Sequence, residues 1–421
     1  MRLRVPEALG ALREREFRLL FIGQAISLLG DGMVGVALAF AVLDLTGSVS
    51  DLGFVFGART VPLVVFLLVG GVFADRLPRR AVMLTADAVR LVTQGVIAAL
   101  LISGHARLWE LVVTQALYGT ATAFFNPAST GLIPTVVSAA RLQQANALRG
   151  LSMAAGNVAG PALAGVLVAT ASPGWALAVD SASFGVSAFY LARLRLPAHE
   201  RLPVKPFLHD LHEGWQEVAS RTWVWSILLF AGVGNMAGAV FFILGAYVAK
   251  RSLGGAGAWA LITAAFGIGS IVGGILALHL RPRRPLLTAN LGLAFFAIPP
   301  ALLALGVPAI GVAAGGLLSG LAGAVFNPLW ETSLQRHIPR AALSRVSAYD
   351  WLVSLALAPV GQMLVGPIAA SVGVNATLWG AAAIFVVGAA ATLMVREVRE
   401  LGNGEVVPQV EQQMVDGEGE R

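Results

Sequence analysis

The sequence predicts an all-α integral membrane protein with twelve transmembrane helices in two similar six-helix halves. The composition is the first observation behind this prediction: 57% of the 421 residues are hydrophobic and only 12% are charged. A soluble domain carries roughly a quarter charged residues, so an ordinary soluble fold is excluded. The other two observations are a series of long apolar segments and a repeat at about half the chain length. The chain has no cysteine, which excludes disulfides and thiolate metal sites.

A segment of eighteen residues occurs in two similar copies, 203 residues apart. Residues 70–87 read GGVFADRLPRRAVMLTAD and residues 273–290 read GGILALHLRPRRPLLTAN, with eight aligned positions identical. Each copy joins one long apolar segment to the next through a short basic turn. In so apolar a chain, this repeat indicates a transporter built from two similar membrane halves. The acidic residues do not recur, since Asp75 aligns with Leu278 and Asp87 with Asn290.

Twelve segments are long enough to cross a bilayer, which needs about 20 mostly apolar residues. The predicted spans are 17–42, 52–74, 82–103, 109–132, 146–170, 174–194, 223–249, 257–279, 286–306, 309–331, 347–370 and 374–395. The longest polar interruption follows the sixth span and contains three prolines. We therefore divide the chain into an N-terminal arm (1–16), a first half (17–194), a linker (195–222), a second half (223–396) and an acidic tail (397–421) expected to be disordered.

The basic residues predict the orientation of these spans. One set of loops, together with both termini, carries nearly all of the arginines, whereas the other set carries Arg107, Lys250 and Arg251. Cytoplasmic loops of membrane proteins are rich in Lys and Arg. We therefore expect a multi-pass protein of a bacterial plasma membrane with both termini in the cytoplasm. The net charge of +6 is spread over many short loops, so no nucleic-acid partner is expected.

The loop after the second span carries a family motif. Residues 71–80 read GVFADRLPRR, which matches the pattern G-x-x-x-D-R-x-G-R-R except that Pro78 stands at the second glycine. In this motif the chain resembles the major facilitator superfamily, and the resemblance extends over residues 17–396. It implies a cytoplasmic gate loop that latches the two halves, with one carboxylate facing a helix N-terminus of the opposite half. The residues assigned to this gate are Gly71, Asp75, Arg76, Arg79, Arg80 and Asp350.

A second motif lies in the fifth span, where residues 156–165 read GNVAGPALAG. It resembles the G-x-x-x-G-P signature of the antiporters in that superfamily, with Gly156, Gly160, Pro161 and Gly165 as its residues. Glycines four residues apart let helices approach closely, and a proline bends a helix where neighbours satisfy the freed carbonyl. The motif favours an export role, and plain helix packing is the alternative.

Shorter phrases narrow the resemblance to the drug and siderophore exporter branch, which includes macrolide-efflux and enterobactin-exporter types. These phrases are SLLGD in the first span, FFNPAS in the fourth and QQANAL before the fifth, and the FNP step recurs at residues 326–328. An Asn-Pro step either lines a polar cavity with its amide or only kinks the helix. Proton-coupled members carry R-x-x-Q-G in the fourth span, whereas residues 115–119 read QALYG here, without the arginine.

Charged residues inside predicted spans need a reason, because each costs roughly 2.5–3.5 kcal/mol on insertion scales. Asp31 lies about halfway along the first span, and Arg59 reaches a similar depth in the second. Either the two form a structural ion pair, or Asp31 faces a central cavity, where it would carry a proton or meet a cationic substrate. At the aligned position the second half has Asn235, which keeps hydrogen bonding but carries no charge.

The other intramembrane charges have simpler interpretations. Asp87 and Arg90 are three residues apart on the third span, so they share one helix face and can neutralise each other. Glu331 ends the tenth span near Arg336, where a boundary salt bridge competes with a role in a cavity. Asp180 is near the start of the sixth span, where we expect a charge in the N-terminal capping region.

Together these residues predict one substrate and proton cavity between the halves, near mid-membrane. Its expected polar lining is Asp31, Asn126, Asn235, Asn327 and Glu331, with Arg59, Asp87 and Arg90 as charge partners and with aromatic walls at Phe124, Phe125, Phe241, Phe242 and Trp330. An apolar cavity with one or two carboxylates suits amphipathic or cationic organic molecules.

We therefore expect a monomeric secondary active exporter that works by alternating access, uses no cofactor or metal and is not an enzyme. The sequence has no G-x-x-x-x-G-K-[ST] loop, so protons rather than ATP are the expected energy source. The alternative within transporters is a dedicated exporter or flippase of a siderophore-like or lipid-like metabolite. An integral-membrane transferase or a non-transporting receptor is more distant, because the sequence has no surface grouping of carboxylates and histidines and retains the gate loop.

Overall fold

The computed structural model describes residues 7–196, 215–338 and 340–402. In these ranges the chain is almost wholly helical, and twelve long helical segments follow the order of the predicted spans. They are α1 (Arg15–Thr46), α2 (Val49–Arg76), α3 (Arg79–Ile102), α4 (Leu108–Val136), α5 (Leu142–Thr170), α6 (Pro173–Ala192), α7 (Thr222–Val248), α8 (Ala256–His279), α9 (Pro285–Ala304), α10 (Ala309–His337), α11 (Arg340–Ala356 with Ala358–Val372) and α12 (Val374–Met394). Each overlaps one predicted span, which confirms the all-α membrane fold. The predicted linker lies largely outside the described ranges. The tail predicted to be disordered is helical at its start, because residues 397–400 belong to the short helix Arg396–Glu400, and residues 403–421 lie outside the described ranges.

Eleven of these segments are long and apolar enough, within the described residues, to cross a membrane on length and composition alone. The remaining one, α4, has 29 residues but also carries Gln115, Asn126 and several threonines. It packs against both α2 and α3, so protein rather than lipid surrounds much of its polar surface. α4 therefore belongs to the bundle in spite of its lower hydropathy.

Prolines account for the two irregular segments, both of which are in the second half. In α9 a 3₁₀ turn, Ala294–Ala297, comes just before Pro299 and Pro300. α11 breaks at Leu357, two residues before Pro359. A proline has no backbone N–H to donate and its ring clashes with the carbonyl four residues earlier, which favours an irregular turn before it.

The two halves pack their helices in the same pattern. In the first half α1 packs on α5 and α6, α4 on α2 and α3, and α3 on α6. In the second half the corresponding pairs form: α7 with α11 and α12, α10 with α8 and α9, and α9 with α12. The two copies of the repeated segment lie at equivalent places, across the α2–α3 turn and the α8–α9 turn. The sequence repeat is therefore a structural repeat of six helices.

The halves are joined on one side of the bundle. We call the side on which α1 begins and α12 ends the terminal side, and the other the opposite side. One buried apolar cluster on the opposite side takes in the second half of α1, the end of α7 and the start of α10. On the terminal side the described core is divided, with one cluster around Phe17 and Leu132 of the first half and another around Trp223 and Leu334 of the second. Among the described residues, the two halves thus share a core on the opposite side and not on the terminal side.

Contacts between helices of different halves agree with this arrangement. α5 packs on α8 and α2 packs on α11. The Nζ atom of Lys250, just after α7, lies 2.6 Å from a carboxylate oxygen of Asp44 near the end of α1. A Cβ atom on Gly366 of α11 would meet Ser50, at the start of α2, at 2.3 Å. These contacts close the bundle on the opposite side.

Candidate functional site

A cluster of five charged side chains lies inside the first half. We call it the charged cluster, and it consists of Asp31 (α1), Arg59 (α2), Asp87 and Arg90 (α3) and Asp180 (α6). Asp87 and Asp180 are fully buried and Arg90 is 2% exposed. The side chains of Asp31 and Arg59 are 27% and 24% exposed. The cluster is therefore mostly enclosed by protein and accessible at one edge, where Asp31 and Arg59 lie.

Arg90 is the centre of the charged cluster. Its guanidinium donates a hydrogen bond to Asp87, and its Nη1 atom lies 3.9 Å from a carboxylate oxygen of Asp31. The planar group is held between two aromatic rings, 3.9 Å from the centroid of Phe125 and 4.4 Å from that of Phe184. A guanidinium is weakly hydrated and stacks well on aromatic rings, which makes arginine the suitable cation for so buried a place. The pairing of Asp87 with Arg90 expected from their spacing forms.

Asp31 belongs to an ion-pair network and also keeps part of its surface accessible. It accepts a hydrogen bond from the hydroxyl of Tyr118, and the Nη2 atom of Arg59 lies 3.9 Å from the same carboxylate oxygen. The Arg59 guanidinium lies 4.3 Å from the centroid of the Tyr118 ring. The ion pair of Asp31 with Arg59 therefore forms, whereas the opening of Asp31 to a central cavity stays a prediction.

Two glycines provide the space that the charged cluster occupies. A Cβ atom on Gly119 of α4 would lie 1.9 Å from the backbone oxygen of Arg59, so only glycine allows α2 and α4 to approach this closely. That approach brings Arg59 against Tyr118. A Cβ atom on Gly30 would lie 2.7 Å from Oδ1 of Asp180. The residue before Asp31 therefore leaves the room in which Asp180 is buried.

The capping role expected for Asp180 is wrong. α6 begins at Pro173, so Asp180 is two turns into the helix, and its side chain is fully buried. Nε2 of Gln94 donates to its Oδ2 at 2.9 Å, and Nε2 of Gln115 donates to Oε1 of Gln94 at 3.1 Å. Asp180 thus ends a chain of buried amides that starts at Gln115, the position where proton-coupled relatives are expected to carry an arginine.

Sequence reasoning did not assign Tyr118, Gln94 or Gln115 to the site. One signal was available, because Asp87, Arg90 and Gln94 are spaced by three and four residues and so share one face of α3. No comparable signal connects Asp180 to that face, since α3 and α6 meet only through the packing of the bundle.

The expected cavity residues of the other helices are on α4, α7 and α10. Asn126, Asn235, Asn327 and Glu331 are all exposed. Nδ2 of Asn235 donates to the backbone oxygen of Ser354 in α11 at 2.9 Å, so this amide also joins two helices of the second half. Their membership of one cavity with Asp31 stays a prediction.

The expected aromatic walls are corrected in part. Phe125 and Phe241 are each 8% exposed and Trp330 is 3% exposed, so these rings pack in the protein core. Phe125 covers Arg90, and the indole N–H of Trp330 donates to Asp350 at 3.0 Å. Phe242, at 44% exposure, retains an accessible face. Large rings were assigned to the walls from helix position alone, which does not distinguish a cavity face from a packed one.

The glycine motif of α5 is a packing surface with two sides. Cβ atoms on Gly156 and Gly160 would lie 2.7 Å from the backbone oxygen of Leu28 and 2.5 Å from the carbonyl carbon of Gly32, both in α1. Pro161 is buried next to them. A Cβ atom on Gly165 would lie 2.4 Å from that of Ala260 in α8. The motif thus lets α5 approach α1 in its own half and α8 in the other.

Three of the predicted gate residues, Gly71, Asp75 and Arg76, belong to a stretch of α2 whose surroundings the structure does not describe. Arg79 and Arg80, in the first turn of α3, donate to the backbone oxygens of Gly131 and Ala192 in the same half. Asp350 is bonded by Trp330 of its own half. A latch between the halves at this place stays a prediction.

Two pseudo-symmetric six-helix halves, with ionisable groups held at depth in one of them, define a secondary membrane transporter. Residues 20–354 match the family model of the Major Facilitator Superfamily. The match covers well over half of the chain, and the protein belongs to that superfamily.

Relatives and solved structures agree with this assignment. The chain is 28% identical over 380 residues to the enterobactin exporter EntS of Escherichia coli O1:K1, covering 84% of this chain and 85% of that protein. Its counterpart in Shigella boydii serotype 18 has the same identity and coverage. The fold is similar to a bacterial homologue of the human lysosomal transporter Spinster (TM-score 0.72, 16% identity, 94% of this chain and 99% of that one). It is also similar to a bacterial homologue of the iron transporter ferroportin (TM-score 0.72, 15% identity, 90% and 98%).

Proposed function

We propose that this chain is a proton-coupled secondary exporter of small amphipathic or cationic organic molecules. The observation that carries the proposal is the position of Asp31, a partly exposed carboxylate held against two guanidiniums and a tyrosine hydroxyl deep in the bundle. A carboxylate in a low-dielectric site binds a proton or an organic cation, but not both at once. Competition between the proton and the substrate cation for Asp31 is the chemical basis of antiport in this proposal.

The consequences of protonation follow from the partners of Asp31. When Asp31 is ionised, it attracts Arg59 of α2 and Arg90 of α3 from 3.9 Å. When it takes up a proton, that attraction ends, and Arg59 and Arg90 have one carboxylate fewer to balance them. α2 also packs on α11 of the other half, so a change at Arg59 has a direct route to the contact between the halves. Protonation of Asp31 would in this way bias the alternating-access equilibrium.

The packing of the halves matches the state in which an exporter would take up its substrate. The halves share a core on the opposite side and have separate cores on the terminal side. With the terminal side assigned to the cytoplasm, the site opens toward the cytoplasm and takes up its substrate there. The exporter acts in the plasma membrane as a monomer, and protons entering the cell supply the energy.

A dedicated metabolite exporter is the second candidate, and the similarity to proteins named enterobactin exporters favours it. The exposed amides of Asn126, Asn235 and Asn327 would suit hydrogen bonding to such a polar molecule. In this case the substrate range would be narrow, whereas the chemistry at Asp31 would be unchanged.

The test is efflux from proteoliposomes under an imposed pH gradient, with a lipophilic cationic dye and enterobactin as separate substrates. We expect gradient-driven dye transport by the wild type, its loss in Asp31→Asn and its retention in Glu400→Gln. Glu400 is the matched control because it is an exposed carboxylate, 52% accessible, on the short helix Arg396–Glu400.

Each outcome of this test has a distinct meaning. Transport of enterobactin without the dye would establish the dedicated exporter. Equal dye transport by the wild type and Asp31→Asn would remove Asp31 from the mechanism. Transport of neither substrate, by protein that is folded and correctly inserted, would contradict both proposals.

A further inference from the structure

The charged cluster contains an odd number of charges. Asp31, Asp87 and Asp180 would contribute three negative charges if all were ionised, whereas Arg59 and Arg90 contribute two positive ones. Tyr118 of α4, with its neutral hydroxyl on Asp31, is the other titratable side chain that bonds to the cluster within the described residues. An unbalanced charge that is buried in protein is strongly disfavoured. One of the three carboxyls must therefore carry a proton if the cluster is to be neutral.

The three carboxyls differ in the donors they receive. Asp87 is bonded directly by the Arg90 guanidinium, although its Oδ2 has no hydrogen-bond partner in the described structure. Asp31 receives the Tyr118 hydroxyl and has both guanidiniums at 3.9 Å. Asp180 receives one neutral amide, that of Gln94, and its Oδ1 is buried with no hydrogen-bond partner among the described residues.

The amide chain fixes which way Gln94 faces. Because Gln115 donates to Oε1 of Gln94, the amide nitrogen Nε2 of Gln94 faces Asp180. Asp180 is thus given one donor and no guanidinium hydrogen bond. An ionised carboxylate needs several donors when it is buried, whereas a neutral acid needs few. Oδ1, next to the backbone of Gly30, is the oxygen left to hold the hydrogen.

We propose that Asp180 is a resident proton site of this transporter: it is a neutral acid in the resting state, and Asp31 is the one carboxyl of the cluster that exchanges a proton during transport. Asp31 and Asp87 then balance Arg59 and Arg90. One proton moves per cycle, forming an O–H bond on Asp31 on one side of the membrane and breaking it on the other. The exchange by Asp31 rests on the proposed function, whereas the proton on Asp180 does not.

Infrared spectroscopy of the full chain in lipid tests the resident proton without any transport. The wild type at neutral pH is expected to show the C=O stretching band of a buried protonated carboxyl, and Asp180→Asn is expected to lose it. Gln94→Leu should shift the band to higher frequency, because the carboxyl loses its amide hydrogen bond. Glu400→Gln should leave the band unchanged.

Three results of this experiment would overturn the proposal. They are a wild type without the band, a band that survives in Asp180→Asn, and a band unaffected by Gln94→Leu. A failure of Asp180→Asn to fold would also count against it, because asparagine is a neutral mimic of the protonated acid and can accept the same bond from Gln94.

The ratio of protons to substrate tests the second part of the proposal. We expect Asp180→Asn to keep the wild-type ratio even if its rate falls several-fold, and Asp31→Asn to lose gradient-driven transport. A lower ratio in Asp180→Asn would show that Asp180 itself exchanges protons and would overturn this part. Because the infrared band does not depend on transport, failure of the exporter proposal and failure of the resident proton can be told apart.

Discussion

The two halves of this transporter share a packing pattern and differ in what they bury. On α3 the first half buries Asp87 and Arg90, whereas the second half buries Asn290 at the aligned place on α9. Asn290 is held by neutral bonds: it donates to the backbone oxygen of Leu286 at 2.9 Å and accepts from Thr392 at 3.1 Å. Among the described residues, the other buried polar side chains of the second half are serines, threonines and one histidine.

The helical scaffold of this protein and its buried charges are therefore separable features. Helix pairing depends on small residues and apolar surface, which both halves contain. The charges depend on a few positions, since the first half has Asp31 and Asp87 where the second half has Asn235 and Asn290. We infer that the buried ion chemistry belongs to the charged cluster of the first half.

The largest expected effect comes from breaking the buried pair of the first half. Arg90→Met leaves Asp87 buried without its cation and should cost about 3–5 kcal/mol of stability. Asn290→Ala removes neutral hydrogen bonds from the second half and should cost about 1–2 kcal/mol. Thermal unfolding of both variants in the same lipid or detergent measures the difference, and equal losses would contradict the asymmetry between the halves.

The shared scaffold is tested at the closest helix contacts. Cβ atoms on Gly119 (α4) and Gly269 (α8) would lie 1.9 Å and 2.0 Å from the backbone oxygens of Arg59 and Leu317. Gly119→Ala and Gly269→Ala should each destabilise the protein by about 1–3 kcal/mol, because a helix must move. Gly238→Ala is the matched control, since its Cβ would meet nothing within 4 Å. Unequal losses would mean that one half tolerates looser packing than the other.

The contact between the halves on the opposite side gives a smaller effect on stability. Asp44 and Lys250 are 53% and 31% exposed, so Lys250→Met should cost at most about 1 kcal/mol and favour opening on that side. The chain has no cysteine, so Asp44→Cys with Lys250→Cys provides a clean cross-link. We expect the disulfide to stop efflux and reduction to restore it. Full transport by the cross-linked protein would show that this side does not open.

The smallest effect is a pH dependence at the terminal side of the first half. The Ser138 hydroxyl and backbone N–H, with Arg141, hold the pKa of Glu14 below its ordinary value. Glu14 therefore stabilises the fold above its unfolded-state pKa, and this contribution is lost as the pH falls through the lowered one. At this surface position it should amount to less than about 1 kcal/mol. Unfolding of Glu14→Gln against pH, beside Glu400→Gln, measures it, and an unchanged pH dependence in Glu14→Gln would contradict the assignment.

The spacing of residues along the chain was enough to predict part of the charged cluster. Asp87 and Arg90 are close in sequence, and a helix alone brings them to one face. Asp31 and Arg59 could be matched by depth because adjacent spans run in opposite directions. Asp180 could not be placed in this way, because it is 86 residues from its partner Gln94 and nothing between them sets their distance.

The twelve spans, the two-half repeat and the loss of acidic residues at the aligned positions of the second half could all be predicted from the sequence. These properties follow from hydropathy and spacing, which act along the chain and do not depend on how helices pack. The packing of the helices was needed to show that Asp180 is buried beside Gln94, that Tyr118 bonds to Asp31, and that Phe125 and Trp330 are core residues. Which face of a membrane helix is covered depends on its neighbours, and in so apolar a chain the lipid-facing and protein-facing residues are chemically alike.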